Sequence, residues 1–276
     1  MSSDRRGTTI LVMSGKGGVS KTCSQLILAG EASRAGRRAL LVDADPERNL
    51  SARFGVPRHA RGLGAALEAT GVATGDELNI DAAVKAMGEE IRSTPWEGVD
   101  ILPAGASLGN LAQINISDTW LLRDIFEAAG LYERYELIFI DTAGRTGSLV
   151  TLTMYAADVA YAPIAPNADS VRKAKEAKAR VERIQRAHPL RWAGVLLSGF
   201  DLRVGMDSAI MQEAEAEFGD EVRATVPRRA TVHEAFHLCE RLGDRPDVAS
   251  CSLAEIYRYF LENNLISLNE STAVGG

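Results

Sequence analysis

Seven short apolar runs punctuate the chain: residues 8–13 (TTILVM), 38–43 (RALLVD), 99–104 (VDILPA), 136–141 (ELIFID), 158–164 (DVAYAPI), 192–198 (WAGVLLS) and 221–226 (EVRATV). Their apolar residues follow one another instead of alternating with polar ones, as in strands covered on both faces. Stretches with helical spacing, such as SQLILAGEASRA from residue 24, lie between them. Strand and helix in alternation build βαβ units with right-handed crossovers. The pattern therefore predicts an α/β fold, a single doubly wound, mostly parallel sheet with helices on both faces. No internal repeat or linker divides it: we expect a flexible start over 1–7, one domain over 8–265 and a flexible tail over 266–276. Residues 56–97 are the least regular and are expected to form helices and loops at the rim of the sheet.

Between the first strand and the first helix stands GKGGVSKTC, Gly15 to Cys23. A glycine-rich turn opening a helix directs backbone N–H groups at one point, a concave anion site that larger side chains would obstruct. The phosphate-loop pattern G-x-x-x-x-G-K-[ST] is met except that Ser20 stands where glycine is usual. Serine suits a helix N-terminus, so little strain is expected there. Gly15, Lys16, Gly17, Gly18, Val19, Ser20, Lys21, Thr22 and Cys23 form the expected nucleotide cradle. Lys21 reaches the β- and γ-phosphates, and the Thr22 hydroxyl ligates Mg²⁺. Lys16 adds a cation that one phosphate site does not need, so it is free to reach the nucleotide of a second protomer.

Two further fragments agree with that site. LVDADPERNLS, Leu41 to Ser51, places Asp43 and Asp45 at the C-terminal end of the second predicted strand, where open α/β sheets bind ligands, and their i, i+2 spacing points both the same way. LIFIDTAGRTG ends the fourth predicted strand in Asp141, positioned to hold Mg²⁺ through water, with Gly144 leaving the next loop free to move.

Taken together, KGGVSKT with its two lysines, Asp-x-Asp-Pro-x-x-Asn and the Asp141 strand resemble the deviant Walker A ATPases of the ParA/MinD superfamily. The likeness covers roughly residues 8–245, being specific at these three motifs and looser elsewhere. The resemblance implies a P-loop NTPase with ATP and Mg²⁺ as cofactors, and an ATP-sandwich homodimer in which Lys16 contacts the partner's phosphates. It further implies that Asp45 activates the attacking water, that Asp43 supports the metal shell and that Asn49 belongs to a nucleotide-sensing switch. PIAPNADSV (163–171) resembles the loop after the fifth predicted strand. LLSGFD (196–201) and VPRR (226–229) resemble segments bordering adenine, making Ser198, Phe200, Pro227 and Arg228 the expected base contacts.

Composition narrows what such a switch acts on. A formal charge of −6 and a pI near 5.4 exclude a protein coated with nucleic acid but leave room for a local basic patch. Residues 171–191 supply one: eight basic residues against Glu176 and Glu182, net +6, leave about −12 on the rest. At helical spacing Ala174, Ala177, Val181 and Ile184 share one arc, with Arg172, Lys175, Arg183 and Arg186 opposite. A solvated helix face accounts for this pattern as simply as a contact to DNA phosphates does. In the DNA reading Arg203, Arg223, Arg228 and Arg229 are possible neighbours, and affinity falls with a log–log salt slope of about −3 per protomer.

Cys23, Cys239 and Cys251 form no C-x-x-C pair and are expected as buried or neutral thiols, unlike the paired interface cysteines of the nitrogenase-like branch. Residues 263–276 offer no amphipathic membrane helix of the MinD kind, and no membrane span is expected. The first strand starts too early for a preceding helix-turn-helix domain, so sequence-specific repression is not expected. The resemblance thus implies a cytoplasmic, nucleoid-associated ParA-type partition ATPase that binds nonspecific double-stranded DNA and is stimulated by a ParB-like centromere-binding protein. The alternatives are a ParA-like positioner of another cargo, such as a protein complex or conjugation machinery, and a nucleotide-locked scaffold with little turnover.

Overall fold

The computed structural model describes residues 6–13, 20–74, 77–113, 116–144 and 147–267. Its strands are β1 (Thr8–Val12), β2 (Ala39–Ala44), β3 (Arg92–Ser93), β4 (Val99–Leu102), β5 (Leu137–Thr142), β6 (Val159–Ile164), β7 (Arg191–Phe200) and β8 (Val222–Pro227). Its helices are α1 (Ser20–Arg34), α2 (Asn49–Arg53), α3 (Gly62–Ala69), α4 (Ile80–Glu90), α5 (Leu108–Leu111), α6 (Leu121–Ala128), α7 (Leu131–Arg134), α8 (Ser148–Ala156), α9 (Ser170–Ile184), α10 (Gly205–Phe218), α11 (Ala230–Leu238) and α12 (Val248–Phe260), the last continued by a π-helical turn over Leu261–Ile266.

The strands form one sheet in the order β3-β4-β2-β5-β1-β6-β7-β8. Only the β3–β4 pairing is antiparallel. All seven predicted strands are present, and each of the central ones, β1, β2, β5 and β6, is buried along its whole length. Successive residues of β1 face opposite ways: Leu11 enters the core under α3 to α10, Ile10 and Val12 the core under α1, α11 and α12. Helix α1 lies in the second core and is buried from Lys21 to Ser33, which explains why its sequence shows no polar stripe.

The structure departs from the sequence expectation in four places. Two-residue β3 carries no apolar signal and was not anticipated. EVRATV is an edge strand, not a buried one; Arg223 and Thr225 are exposed, and Pro227 closes it where no further neighbour needs an N–H. The segment 56–97 is more than rim: Leu63, Ala66, Leu67, Ala83 and Met87 enter the first core. At the two ends, packing reaches past the expected limits. Gly7 is buried and donates its N–H to Tyr132 O at 2.7 Å, the Arg6 guanidinium lies 3.9 Å from the centre of the Tyr132 ring, and Ile266 is buried. Among the described residues, no helix is long and apolar enough to cross a membrane.

Besides this packing, the rim segment is fastened to the chain leaving β4 by backbone hydrogen bonds. Leu63 N donates to Pro103 O (2.7 Å), Gly64 N to Ala104 O (2.9 Å) and Ala106 N to Ala60 O (3.1 Å). Such close approach forbids side chains: a Cβ on Gly105, where φ is +85°, would sit 1.7 Å from Arg61 O. Gly36 has a similar φ of +72° but nothing within 4 Å of its absent Cβ. Gly36→Ala should therefore cost about 1 kcal/mol, the left-handed penalty alone, whereas Gly105→Ala should cost about 3 kcal/mol or more, read as urea midpoints. Equal losses would refute the close contact.

Candidate functional site

β1, β2 and β5 end side by side, with Val12 paired to Asp141 and Asp43 paired to Asp141 in parallel register. The chain leaving β1 returns as α1, whose first turn therefore stands over the carboxyl ends of β2 and β5. Of the expected cradle, Gly15, Lys16, Gly17, Gly18 and Val19 lie outside the described residues. Ser20 opens α1 half-buried and is not among the two non-glycine residues with positive φ, Arg48 and Cys239, so serine carries no left-handed strain here. Lys21 and Thr22 follow, each 6% exposed. Cys23 is buried, and burial pushes its thiol up to about 12. Two polar side chains keep the helix in place: Gln25 Nε2 donates to Ile140 O at 2.9 Å, and Ser24 Oγ bonds Tyr161 Oη at 2.9 Å.

The carboxylates differ in their surroundings. Asp141 accepts the Thr22 hydroxyl on Oδ2 at 2.6 Å, while its buried Oδ1 finds no hydrogen-bond partner among the described residues. Burial first, and then the neighbouring Asp43 charge, push Asp141 up to about 7 against the pull of Thr22 and Lys21. Asp43 is fully buried. Its Oδ2 accepts both the Ser51 amide (2.8 Å) and the Ser51 hydroxyl (2.6 Å), and its Oδ1 accepts the Asp45 amide (3.2 Å). Burial raises Asp43 to about 6 even against those bonds. Asp45, 9% exposed, takes the Glu47 amide on Oδ1 at 2.9 Å across Pro46, and burial also raises its carboxyl. Asn49 is exposed at the start of α2, its amide 3.3 Å from Glu47 Oε2.

The expected base contacts gather where β7 and β8 end, with Pro227 paired to Phe200. Phe200 corrects the expectation in part: the residue is 2% exposed within the first core, and its carbonyl is bonded to Arg228 N at 2.8 Å. Arg228 is held from the side by buried Asp207 at 2.8 Å and by Gly199 O at 3.1 Å. Ser198 is half-buried on β7.

The basic segment is corrected more sharply. Helix α9 stops at Ile184, so Arg186 lies in the turn beyond it and Arg191 begins β7. Its buried arc is as expected, with Ala174, Ala177 and Val181 inside. Arg172 is paired to Asp169 and Glu176, and Lys175 to Glu217 of α10, 42 residues away. Lys178 is taken by Glu221. Arg203 is bound to Asp201, Arg223 to Ala193 O and Arg229 to Arg228 O. Arg183 and Arg186 are exposed and have no ion-pair partner among the described residues. Of the thiols, Cys23 is buried, Cys239 half-buried and Cys251 exposed.

Sequence reasoning passed over Ser51, Gln25, Tyr161 and Asp207. Ser51 ends the quoted DADPERNLS string, but nothing in that string shows which side chain it meets.

Comparison with known proteins agrees with this geometry. The model of an AAA domain (AAA_31) matches residues 7–191. The chromosome partitioning protein ParA of Caulobacter vibrioides is 31% identical over 227 residues, 80% of each chain. The sporulation initiation inhibitor protein Soj of Bacillus subtilis is 29% identical over 236 residues, 83% of this chain and 87% of its own. Among solved structures, a complex of Cyanothece McdA with ATP superposes with a TM-score of 0.75 at 18% identity, covering 94% of this chain and 96% of its own. The Pyrococcus horikoshii septum site-determining protein MinD complexed with Mg-ADP gives 0.69 at 20% identity, covering 93% and 95%. With a family model matched over residues 7–191 and a ParA 31% identical across four-fifths of both chains, the chain belongs to the ParA/Soj partition ATPases of the ParA/MinD superfamily.

Proposed function

We propose that this protein is a Mg²⁺-dependent ATPase whose nucleotide state governs dimerisation and binding to nonspecific DNA. The observation that carries the first half is the buried, unpartnered Oδ1 of Asp141 beside the Thr22 hydroxyl. An orphaned carboxylate oxygen next to a second acidic strand end is costly unless a cation faces it. No cluster of three His, Cys, Asp or Glu side chains converges on a metal among the described residues. This donor set fits Mg²⁺, which uses one or two protein oxygens and fills its remaining positions with phosphate and water. A Mg²⁺ ion held there by Thr22 and Asp141 would offset the charge that develops on the phosphates during transfer.

The residues of the chain do the rest. Lys21 neutralises the terminal phosphates at the head of α1. Thr22 and Asp141 hold the metal, with Asp43 supporting that shell from β2. Asp45, at the mouth of the site, orients the attacking water. Lys16 of each protomer reaches the partner's phosphates, so triphosphate joins two subunits and its hydrolysis parts them. Two identical basic surfaces then act together, which makes DNA affinity depend on nucleotide. Arg183 and Arg186 make the direct phosphate contacts, giving a salt slope of about −2 per protomer, and Arg172 and Lys175 add to it only by exchanging their weakly held surface carboxylates for phosphate. A ParB-like, DNA-bound partner stimulates turnover.

Three outcomes test this reading. Lys21→Ala should abolish nucleotide binding, while Asp45→Ala should bind ATP normally and hydrolyse it about 100-fold more slowly in a phosphate-release assay; unimpaired turnover in Asp45→Ala would refute its role. Arg183→Glu with Arg186→Glu should leave ATP binding intact and flatten the salt dependence of DNA affinity by about 0.9 per arginine. Finally, the raised carboxyls set a pH dependence. In the nucleotide-free fold Asp141 binds its proton up to about pH 7, whereas the unfolded chain releases it near 3.8. Stability is therefore greatest at low pH from this pair and declines as pH rises toward 7. Asp141→Asn should reduce that decline in urea titrations made without metal or nucleotide.

A further inference from the structure

Ser51 lies fully buried inside α2, a helix of five residues directly after the Asp45 turn. Its hydroxyl donates to Asp43 Oδ2 at 2.6 Å, its amide donates to the same oxygen at 2.8 Å, and its Oγ accepts the Ala104 amide at 3.2 Å. One small residue thus joins two strand ends and a helix: β2 through Asp43, α2 through its own backbone, and the chain leaving β4 through Ala104. Asp43 in turn bonds the Asp45 amide, closing a ring of hydrogen bonds over 43–51 with Asp45 on its circumference.

We propose that Ser51 is a positioning residue for hydrolysis: it clamps Asp43 and the loop after β4 so that Asp45 presents its carboxylate in one place. This rests on the reading of Asp45 given above and assigns the geometry that reading requires. Three features support a clamp over a bystander. A charge-assisted hydroxyl–carboxylate bond in a dry site is among the stronger hydrogen bonds available to a neutral side chain. The loop beyond Asp45 is tied on its other side by Arg48, which at a left-handed φ of 60° donates to the carbonyls of Pro57 and Arg58, so Ser51 supplies the tie on the Asp43 side. Pro46, Glu47 and Asn49 are half-buried or exposed, so these ties, more than burial of the turn itself, set its place. Finally, Ala104, the third member, belongs to the backbone seam with Gly64 that secures the rim segment, a rigid base for the clamp.

The test compares Ser51→Ala and Ser51→Thr with the wild type in the full chain, using Mg²⁺ and ATP. Loss of the hydroxyl should displace Asp45 and lower kcat about 10- to 100-fold, with ATP affinity within about threefold, a split that removes a transition-state contact and not a binding one. Restoring the hydroxyl as threonine should return kcat to within about threefold. Amide hydrogen exchange should show faster exchange at Ala104 in Ser51→Ala and wild-type exchange in Ser51→Thr. Should the alanine variant fail to fold, Ser51→Cys, similar in size and a poor donor, should show the same loss of kcat. Unchanged kcat in Ser51→Ala, or an equal loss in ATP affinity, overturns the inference. The Asp45→Ala arm separates the two claims: slow turnover there with fast turnover in Ser51→Ala refutes the clamp alone, while fast turnover in Asp45→Ala refutes the reading on which it stands.

Discussion

Asp43 and Asp141 stand side by side at the dry carboxyl ends of β2 and β5, and the remaining site is arranged around the repulsion between them. Two buried carboxyls in register are tolerated because one is consumed by folding and the other is left open. Asp43 spends its lone pairs on Ser51 and the Asp45 amide. Asp141 spends one on Thr22 and keeps one. The pair looks symmetric in sequence but is divided in structure: one carboxyl shapes the chain, and the other keeps an oxygen without a partner among the described residues.

That division explains which parts of the molecule were legible beforehand. The fold was, because continuous apolar runs at β1, β2, β5 and β6 admit few readings other than strands covered on both faces. So was the start of α1 at Ser20, since a glycine-rich turn ahead of a helical stretch marks where a helix begins. Asp43 was legible as a site residue, yet its hydrogen-bond partner was not: Ser51 is eight residues on, and only the short turn of α2 brings it back.

The basic helix shows the opposite case. Lys175 and Lys178 read as free cations because their partners, Glu217 and Glu221, lie more than 40 residues away on and just beyond α10. Charge counted along one segment misses charge supplied by its neighbour, and exposed pairs of this kind hold their partners only weakly. The end of α9 was misplaced for a local reason: Ile184 leads into a turn before Pro189, and eight basic residues in near-regular spacing conceal that stop. Phe200 reads as an aromatic near a base, but a strand this far into the sheet turns alternate residues into the core.

Helix α1 is enclosed by protein from Lys21 to Ser33. An element walled in on every side has nowhere to travel, so whatever ligand its head receives meets an anvil. The less enclosed neighbour of that head is the small α2 segment, which carries exposed Asn49. A probe attached at exposed Asn49 would therefore sense the surroundings of that head without disturbing the packing of α1.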